Sequence, residues 1–385
     1  MIFTPDFHRD PYPVYRRLRD EEPCHHVPEL GCYALSRYAD VLDALRRPTV
    51  FSSAARLGPG QGAGGQAGES DENDEKAVRS LLFLDPPEHQ VLRRAVARGF
   101  TPQAVQRLEP AVREIAVRLA DRLAGQGGGD FVAGFAAPFA VAVILHLLGV
   151  PEADRARVTG LLPGSPDGEL RAYWLGRCAL LRDGEGAGDD VAGVVADLVR
   201  PGRTGLDDEQ IAAFCALVGE AGTDSVTMAL SNALVLFGRH QDQWRTLRER
   251  PDAIPAAVEE VLRYWAPTQH QSRRLTADVR LHGRLLPAGS HVLLLTGSAN
   301  RDERAYPDPD VFDIGRFHPD RDASTPLAFG FGPHFCLGAS LARLELRVAL
   351  EELAARLPRF QVDEARAVRS AAANGYGYRG VPLSA

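Results

Sequence analysis

The segment from Asp207 to Gly238 constrains the fold more than any other part of the sequence, because it has the pattern of one long, mainly apolar helix. Asp207 and Gln210 form a capping box at its start, which indicates where the helix begins. With a rise of about 1.5 Å per residue, such a helix spans roughly 45 Å. A helix this long and apolar must be buried along most of its length, so the sequence predicts a large helical core around it.

The middle of this segment is unusual for a buried helix, because it contains both glycines and polar side chains. Gly219 and Gly222 weaken the helix locally. The polar residues beside them are Glu220, Thr223, Asp224 and Ser225. The segment alone leaves two interpretations open: a kink in which the Ser and Thr hydroxyls bond back to the preceding turn, or a functional site that needs polar groups.

The rest of the sequence predicts a mainly α-helical protein with small β-sheets. Apolar residues recur at three- and four-residue spacing between Pro and Gly breaks, whereas two short alternating runs flank the turn residues 287–289 and predict strands. No repeat or long linker divides the 385 residues, so we expect a single domain covering 1–385. Residues 57–75 are rich in Gly and acidic side chains, and we expect a mobile loop there, over the active site.

Charge and cysteine content argue against several classes of partner. The net charge, 44 − 51 = −7, gives no global basic field for nucleic acid or an anionic membrane. The apolar run from Phe131 to Val150 is as long as a membrane span, but Pro138 interrupts it and acidic residues flank it, so we expect a buried helix. Five cysteines without close pairs indicate a reducing compartment. We expect a cytoplasmic protein and a monomer.

The segment from Phe329 to Ala339, F-G-F-G-P-H-F-C-L-G-A, has the composition of a ligand-binding loop. Its glycines permit an irregular backbone, and the helix that follows directs its positive end at Cys336, which lowers the pKa of a thiol and favours a metal-ligating thiolate. A zinc site built on His334 and Cys336 would lack further ligands nearby. A dinucleotide-binding loop is disfavoured because Phe335 stands where a third glycine is needed.

Two other pairs have helical spacing, and the residues alone leave their roles open. His89 and Arg93 lie four residues apart on one helix face, so they either reach one anion together or face solvent. Glu260 and Arg263 lie three residues apart beside an apolar stripe, and their spacing permits an ion pair that would contribute little on an exposed helix.

The cysteine loop resembles the haem-binding loop of the cytochrome P450 superfamily, F-G-x-G-x-H-x-C-x-G, and matches each of its fixed positions. The residues from Glu260 to Arg263 are similar to the family's E-x-x-R element, and the AGTDSV sequence in the long helix is similar to its oxygen-binding segment. These elements follow the family's order across nearly the whole chain. The DPPEH sequence that ends at His89 is similar to the soluble bacterial branch of the family.

This resemblance implies the cytochrome P450 fold, with haem b between the long central helix and the cysteine-loop helix. Cys336 would be the axial ligand of the haem iron. The residues implied to hold the haem propionates are His89, Arg93, Arg273 and His334. The implied catalytic pair, which delivers protons to bound O2, is Asp224 and Ser225. The implied buried structural network consists of Glu260, Arg263 and Arg316. The residues implied to line the substrate pocket are Leu81, Leu82, Phe83, Ala221, Thr223, Thr268, Gln269 and His270.

The implied reaction inserts one oxygen atom from O2 into a C–H or C=C bond. The polar residues at 268–270 favour a fairly large, polar-decorated substrate from bacterial secondary metabolism, such as a polyketide, macrolide or peptide, either free or bound to a carrier protein. Electrons from NAD(P)H would arrive through ferredoxin reductase and ferredoxin, because the chain has no flavin domain and no iron–sulfur cysteine set. The basic residues expected to dock ferredoxin are Arg93, Arg94, Arg98, Arg343 and Arg347.

Two alternatives to the monooxygenase interpretation remain open at this stage. A peroxide-driven or non-oxygenating haem enzyme often alters the acid–alcohol pair, which here contains Ser225 in place of the usual threonine. A non-catalytic P450-like partner protein commonly lacks the cysteine loop, which is intact here.

Overall fold

The computed structural model describes residues 4–54, 80–162, 168–184, 193–370 and 374–385. The loop predicted at 57–75 lies outside these residues. The helices are α1 (Pro5–Arg9), α2 (Tyr12–Glu21), α3 (Tyr38–Arg46), α4 (Glu88–Val96), α5 (Pro102–Gln106), α6 (Glu109–Gly125), α7 (Ala137–Leu148), α8 (Glu152–Leu161), α9 (Glu169–Arg182), α10 (Val194–Leu198), α11 (Asp208–Arg239), α12 (Gln241–Glu249), α13 (Ile254–Tyr264), α14 (Thr296–Ala299) and α15 (Ala339–Arg356). The mainly helical fold class is therefore confirmed.

The strands are short and lie around the edges of the helical core. They are β1 (Cys24–Val27), β2 (Cys32–Leu35), β3 (Phe51–Ser52), β4 (Gly128–Asp130), β5 (Gln271–Leu275), β6 (Val279–Leu281), β7 (Arg284–Leu286), β8 (His291–Leu294), β9 (Gln361–Val362), β10 (Val368–Arg369), β11 (Tyr378–Gly380) and β12 (Pro382–Ser384). Among the described residues, the largest sheet has the order β1-β2-β8-β5-β3, and β4-β12-β9 form a second sheet.

The two alternating runs beside residues 287–289 form strands, but they do not pair as one hairpin. The first run contains β6, which pairs with the following strand β7 across a turn at His282 and Gly283, and both turn residues have positive φ. The second run, β8, joins the large sheet, where it lies parallel to β2 and antiparallel to β5. Because β5 contains Arg273, this pairing fixes the position of a predicted site residue.

The long helix α11 is continuous over 32 residues, and its two central glycines are explained by close packing. Asp207 accepts a hydrogen bond from the backbone N–H of Gln210 at 2.8 Å, which confirms the capping box. A Cβ on Gly219 would lie 2.7 Å from Leu162 Cδ2, and one on Gly222 would overlap Ile144. The glycines therefore let α7 and the end of α8 approach α11 closely.

The apolar run from Phe131 to Val150 forms a buried helix, as expected. A π-helical turn at Val132–Ala136 leads into α7, and Pro138 lies in the first turn of α7, where its missing N–H leaves no gap. Gly149 ends the helix with φ 76°. None of the helices within the described ranges is both long and apolar enough to span a bilayer.

Candidate active site

The cysteine loop contains a 3₁₀ turn at Gly332–His334 and ends where α15 begins. Gly330 and Gly332 have φ values of 68° and 72°, which side chains with a Cβ rarely adopt. A Cβ on Gly332 would also lie 2.6 Å from the carbonyl oxygen of Leu45. The Cys336 N–H donates to the Phe329 carbonyl at 2.9 Å, which closes the loop. Both glycines are therefore needed for the loop to hold its shape against the rest of the protein.

Cys336 is the one exposed cysteine of the five, although protein surrounds it closely. Burial raises the pKa of its thiol, while the backbone N–H groups of Gly338 and Ala339 and the charges of Arg93 and Arg343 act in the opposite direction. The expectation that the helix end lowers the pKa of the free thiol was wrong in its net sign, because desolvation is the larger effect. The exposed thiol is open to a ligand, and a bound cation there would favour the thiolate.

Four predicted cationic or donor residues converge beside this loop. The imidazole rings of His89 and His334 lie 4.1 Å apart, centroid to centroid. The Arg93 Nη2 donates to the Phe335 carbonyl at 2.5 Å. Arg273 is close enough to His334 for its charge to contribute to lowering the pKa of that imidazole. The structure therefore brings His89, Arg93, Arg273 and His334 together from α4, β5 and the cysteine loop.

Among the described residues, the two histidines of this cluster have ring nitrogens that lack hydrogen-bond partners, whereas Arg93 donates to the Phe335 carbonyl and Arg273 donates to the Ser272 carbonyl at 2.7 Å and to Gln271 Oε1 at 2.9 Å. Both ring nitrogens of His89 and the Nε2 of His334 are buried without a hydrogen bond inside the described part of the chain. Burial, followed by the nearby His89 and Arg273, lowers the pKa of His334 to about 4, and burial lowers the pKa of Arg273 to about 10. Such a cluster is costly unless an anion compensates it. Two carboxylates, such as the propionates of a haem whose iron faces Cys336, fit this arrangement.

The central part of α11 presents a short exposed stretch on an otherwise buried helix. Glu220, Ala221 and Asp224 are exposed and Ser225 is half-buried, whereas the turns on either side are mostly buried. The Ser225 hydroxyl donates to the Ala221 carbonyl at 2.9 Å, and the buried Thr223 hydroxyl donates to the Gly219 carbonyl at 3.0 Å. Both hydroxyls therefore bond to carbonyls of the preceding turn within an unbroken helix, and the Asp224 side chain between them is exposed.

The predicted pocket residues fall into two groups. Leu82 is 52% exposed, and Phe83 and His270 are half-buried. Gln269 is buried, and its amide nitrogen donates to the Ala266 carbonyl at 2.7 Å while its oxygen packs against Gly297. The amide of Gln269 is therefore packed within the fold, and its place in the pocket wall stays a prediction. The Thr223 hydroxyl is likewise committed to the helix backbone.

Glu260, Arg263 and Arg316 form one buried network. The Glu260 carboxylate accepts hydrogen bonds from Arg263 Nε at 2.7 Å and Nη2 at 2.8 Å, and Arg316 Nε lies 3.3 Å from it. Arg263 also donates to the Asn300 and Pro309 carbonyls at 3.0 and 2.8 Å. These contacts attach α13 to the proline-rich segment that precedes the cysteine loop, so the network has the geometry of a structural element.

Sequence reasoning missed Asp85, the acidic residue nearest the cationic cluster. Asp85 accepts a hydrogen bond from the Ser53 N–H at 2.9 Å and another from the Ser52 hydroxyl, and its charge raises the pKa of His89 and Arg273 against the lowering effect of burial. Because Ser52 lies in β3, which pairs with β5, Asp85 links the helix of His89 to the strand of Arg273. An acid directly before Pro86 and Pro87 was the available signal.

Comparison with known proteins gives consistent results. The family model described as Cytochrome P450 matches residues 196–371. Cytochrome P450 130 of Mycobacterium tuberculosis is 39% identical over 396 residues, which cover 97% of this chain and 94% of the relative. Among solved structures, a mutant of P450 EryK in complex with erythromycin B has a TM-score of 0.81 at 32% identity, covering 98% of this chain and 96% of that one. P450BioI in complex with an acyl carrier protein ligated to hexadec-9Z-enoic acid has a TM-score of 0.85 at 26% identity, covering 99% of each chain.

No group of three or more His, Cys, Asp or Glu side chains able to hold a metal ion occurs in the ranges that the structure describes. An exposed thiol in a glycine-shaped loop, beside two arginines and two histidines whose ring nitrogens include ones without a partner among the described residues, is consistent with the arrangement that the sequence resemblance implied. With 39% identity to a curated relative across nearly the full length of both chains, this chain belongs to the cytochrome P450 family of monooxygenases.

Proposed function

We propose that this enzyme binds haem b through Cys336 and hydroxylates or epoxidises a fairly large, polar-decorated small molecule. The observation that carries the proposal is the convergence of His89, Arg93, Arg273 and His334 beside the exposed Cys336 thiol, with ring nitrogens on both histidines that have no partner in the described part of the chain. His89 and Arg273 would bind the propionates by charge-assisted hydrogen bonds. When bound, haem supplies O2 activation and the insertion of one oxygen atom. An Arg273→Met variant that loses haem no faster than the unmodified protein would remove Arg273 from this role.

Asp224 and Ser225 are proposed to hold water and to move protons. Asp224 is exposed and Ser225 beside it is half-buried. The Ser225 hydroxyl donates to the Ala221 carbonyl, so its oxygen retains lone pairs that accept a hydrogen bond from water or from Asp224. Rotation about χ1 then turns the hydroxyl proton towards the reacting oxygen. Serine lacks the methyl group that restricts χ1 in threonine, so this delivery is looser.

The substrate is proposed to be a polyketide, macrolide or peptide of bacterial secondary metabolism. The exposed Leu82 and the half-buried Phe83 and His270 combine apolar and hydrogen-bonding character, which suits a large molecule with oxygen substituents. The similarity to a P450 solved with erythromycin B supports a substrate of this size, and the similarity to one solved with a ligated acyl carrier protein supports a carrier-bound form.

Electrons are proposed to come from NAD(P)H through ferredoxin reductase and an acidic ferredoxin. Arg94 on α4 and Arg98 in the 3₁₀ turn that follows are exposed, and they line a surface pocket of about 290 Å³ with Arg203 and the 65%-exposed Val91. In contrast, Arg343 pairs with Glu259 at 2.5 Å and Arg347 pairs with Glu109 at 2.6 Å. Uncompensated charge is therefore concentrated at Arg94 and Arg98, which favours those two as the docking residues.

Turnover with isotopically labelled O2 tests the proposed function. The purified holoenzyme, a ferredoxin, its reductase and NAD(P)H are incubated with a panel of macrolides and cyclic peptides that first shift the haem spin state. One labelled oxygen atom is expected in the product and the other in water. Product formation that proceeds equally well with peroxide and without the electron donors would instead identify a peroxide-driven enzyme.

A further inference from the structure

The helix α9 packs on the first half of α11 through a face that contains an arginine. Its buried residues are Leu170, Tyr173, Trp174, Arg177 and Cys178. With 100° per residue, Arg177 projects near the middle of this face, between Tyr173 and Leu170. Arg182 of α9 pairs with Asp208 of α11 at 2.6 Å, so the two helices are tied together. A charged group at the middle of an interhelical face calls for a partner.

Arg177 and Trp174 have donors without acceptors. Arg177 is 8% exposed and Trp174 is 1% exposed. The Nη2 of Arg177 and the indole Nε1 of Trp174 are buried, and neither donates a hydrogen bond to any residue in the described ranges. Residues three apart on a helix are neighbours, so the two donors belong to one site. Leaving a buried guanidinium unpaired costs several kcal/mol, a cost that ordinary packing does not repay.

The acids around α9 are already engaged by other side chains. Asp154 of α8 accepts a hydrogen bond from the Tyr173 hydroxyl at 3.1 Å. Glu209 pairs with Arg171 at 2.5 Å, and Asp208 pairs with Arg182. None of these three carboxylates pairs with Arg177, so its guanidinium has no counter-charge among the described residues.

The site lies along α11 from the exposed stretch around Ser225. Burial, followed by the charge of the nearby Cys178, raises the pKa of Cys215 in α11 well above its usual value, so the part of α9 next to Arg177 lies close to Cys215. From Cys215 to Ser225 the helix advances about 15 Å. A molecule that reaches both places is of the size expected for the substrate.

We propose that Arg177 and Trp174 together bind a carboxylate of the substrate, and that the enzyme therefore prefers molecules that carry a free acid at one end. Arg177 supplies the charge and Trp174 supplies an N–H donor from the next turn, which is a charge-assisted pairing that orients the acid. This inference rests on the proposed function, since it concerns the substrate of the same site. Of the two substrate forms considered above, free and carrier-bound, this inference selects the free acid, because the carrier-bound thioester lacks the carboxylate.

Calorimetric binding of dodecanoic acid and of methyl dodecanoate to the holoenzyme tests the proposal. The two probes share a chain and differ in charge, so we expect the acid to bind at least about tenfold more tightly, as one charge-assisted hydrogen bond allows. In Arg177→Met the preference is expected to fall to within about twofold, and in Trp174→Phe, which removes only the N–H donor, to an intermediate value. Arg171→Met, on the exposed side of α9, is the matched control and should retain the full preference.

Stability separates a binding arginine from a structural one. Because Arg177 has no partner without ligand, Arg177→Met should have an equal or higher urea midpoint than the unmodified protein. A lower midpoint, or equal binding of acid and ester in the unmodified protein, overturns the proposal and leaves bound water as the acceptor. The reduced carbon monoxide spectrum of the same samples is recorded in parallel. A thiolate-type spectrum without acid preference refutes only this inference, whereas its absence refutes the proposed function itself.

Discussion

Glu260 Oε2 accepts a hydrogen bond from Arg263 Nε at 2.7 Å, in a part of the core where neither side chain is exposed. The same carboxylate accepts from the Asp313 N–H at 2.9 Å, so it joins α13 to the segment that leads to the cysteine loop. The ion pair therefore attaches α13 to the segment that precedes the cysteine loop, and we expect that segment to loosen when the pair is lost.

Glu260→Gln should destabilise the fold by about 3 to 5 kcal/mol, because it leaves Arg263 buried without a counter-charge. Urea unfolding followed by circular dichroism measures the change, and haem content per protein should fall with it. Glu259→Gln is the matched control. Glu259 is 22% exposed and pairs with the 36%-exposed Arg343, so its replacement should cost no more than about 1 kcal/mol. Equal losses in the two variants would show that the buried pair has no special role.

Ser225→Thr should improve the coupling of electron use to product formation. The added methyl restricts χ1 and holds the hydroxyl in one orientation, whereas Ser225 rotates more freely. The ratio of hydrogen peroxide released to NAD(P)H consumed measures uncoupling, and we expect it to be lower in the variant. Tight coupling in the unmodified enzyme, unchanged by the substitution, would contradict the looser proton delivery assigned to Ser225.

Charge reversal at Arg94 and Arg98 should weaken ferredoxin docking. In the double variant Arg94→Glu and Arg98→Glu, the KM for ferredoxin should rise roughly tenfold at low ionic strength, with a smaller effect in high salt. The kcat at saturating ferredoxin should change less. Arg280→Glu in β6 provides an exposed control on a different element. An unaltered KM in the double variant would exclude this surface as the docking site.

Glu345 should make stability fall as pH rises. Its side chain is 1% exposed, Oε2 has no hydrogen bond inside the described part of the chain, and burial raises its pKa well above the usual value. Below the pKa that Glu345 has in the unfolded chain, both states hold the proton, and the free energy of unfolding is not reduced by this group. Above that pKa only the folded state retains it, so stability declines by up to about 1.4 kcal/mol per pH unit until the folded pKa is reached.

Replacing the carboxyl by an amide tests this behaviour. Glu345→Gln resembles the neutral acid, so its free energy of unfolding should exceed that of the unmodified protein at about pH 8 and approach it at lower pH. Urea titrations at several pH values measure both curves. Glu249→Gln, which changes an exposed carboxyl, should leave the slope as it was. A Glu345→Gln variant that is less stable at all pH values would show that the carboxylate has a partner.

Much of the site could be predicted from the sequence because its parts are local. The cysteine loop and the Glu260–Arg263 pair each occupy a few consecutive residues, so the spacing of those residues along the chain determines which side chains lie close together. Arg273 has no such local signal, since its position depends on the pairing of β5 with β8, and only the family resemblance identified it. The sequence also identified the polar middle of α11, although it left back-bonding and function as alternatives that both describe the same residues.

Other features depend on tertiary packing that no local pattern encodes. Gln269 follows a helix end like its neighbour His270, but a backbone hydrogen bond from Gln269 N–H to the Asn374 carbonyl orients it into the fold. The burial of Arg177 depends on how α9 meets α11, and an arginine in an amphipathic helix is normally assigned to solvent. The net pKa of Cys336 was missed because the helix end is visible in the sequence and desolvation is not.

The reduced carbon monoxide complex tests the central claim, that Cys336 ligates haem iron as a thiolate, most directly. The unmodified holoenzyme should show the strongly red-shifted Soret band of thiolate-ligated haem. Cys336→His, which offers a neutral nitrogen ligand instead, should bind haem and show the band at its ordinary position. A red-shifted band that persists in Cys336→His, or one that is absent from fully haem-loaded unmodified protein, would contradict the account.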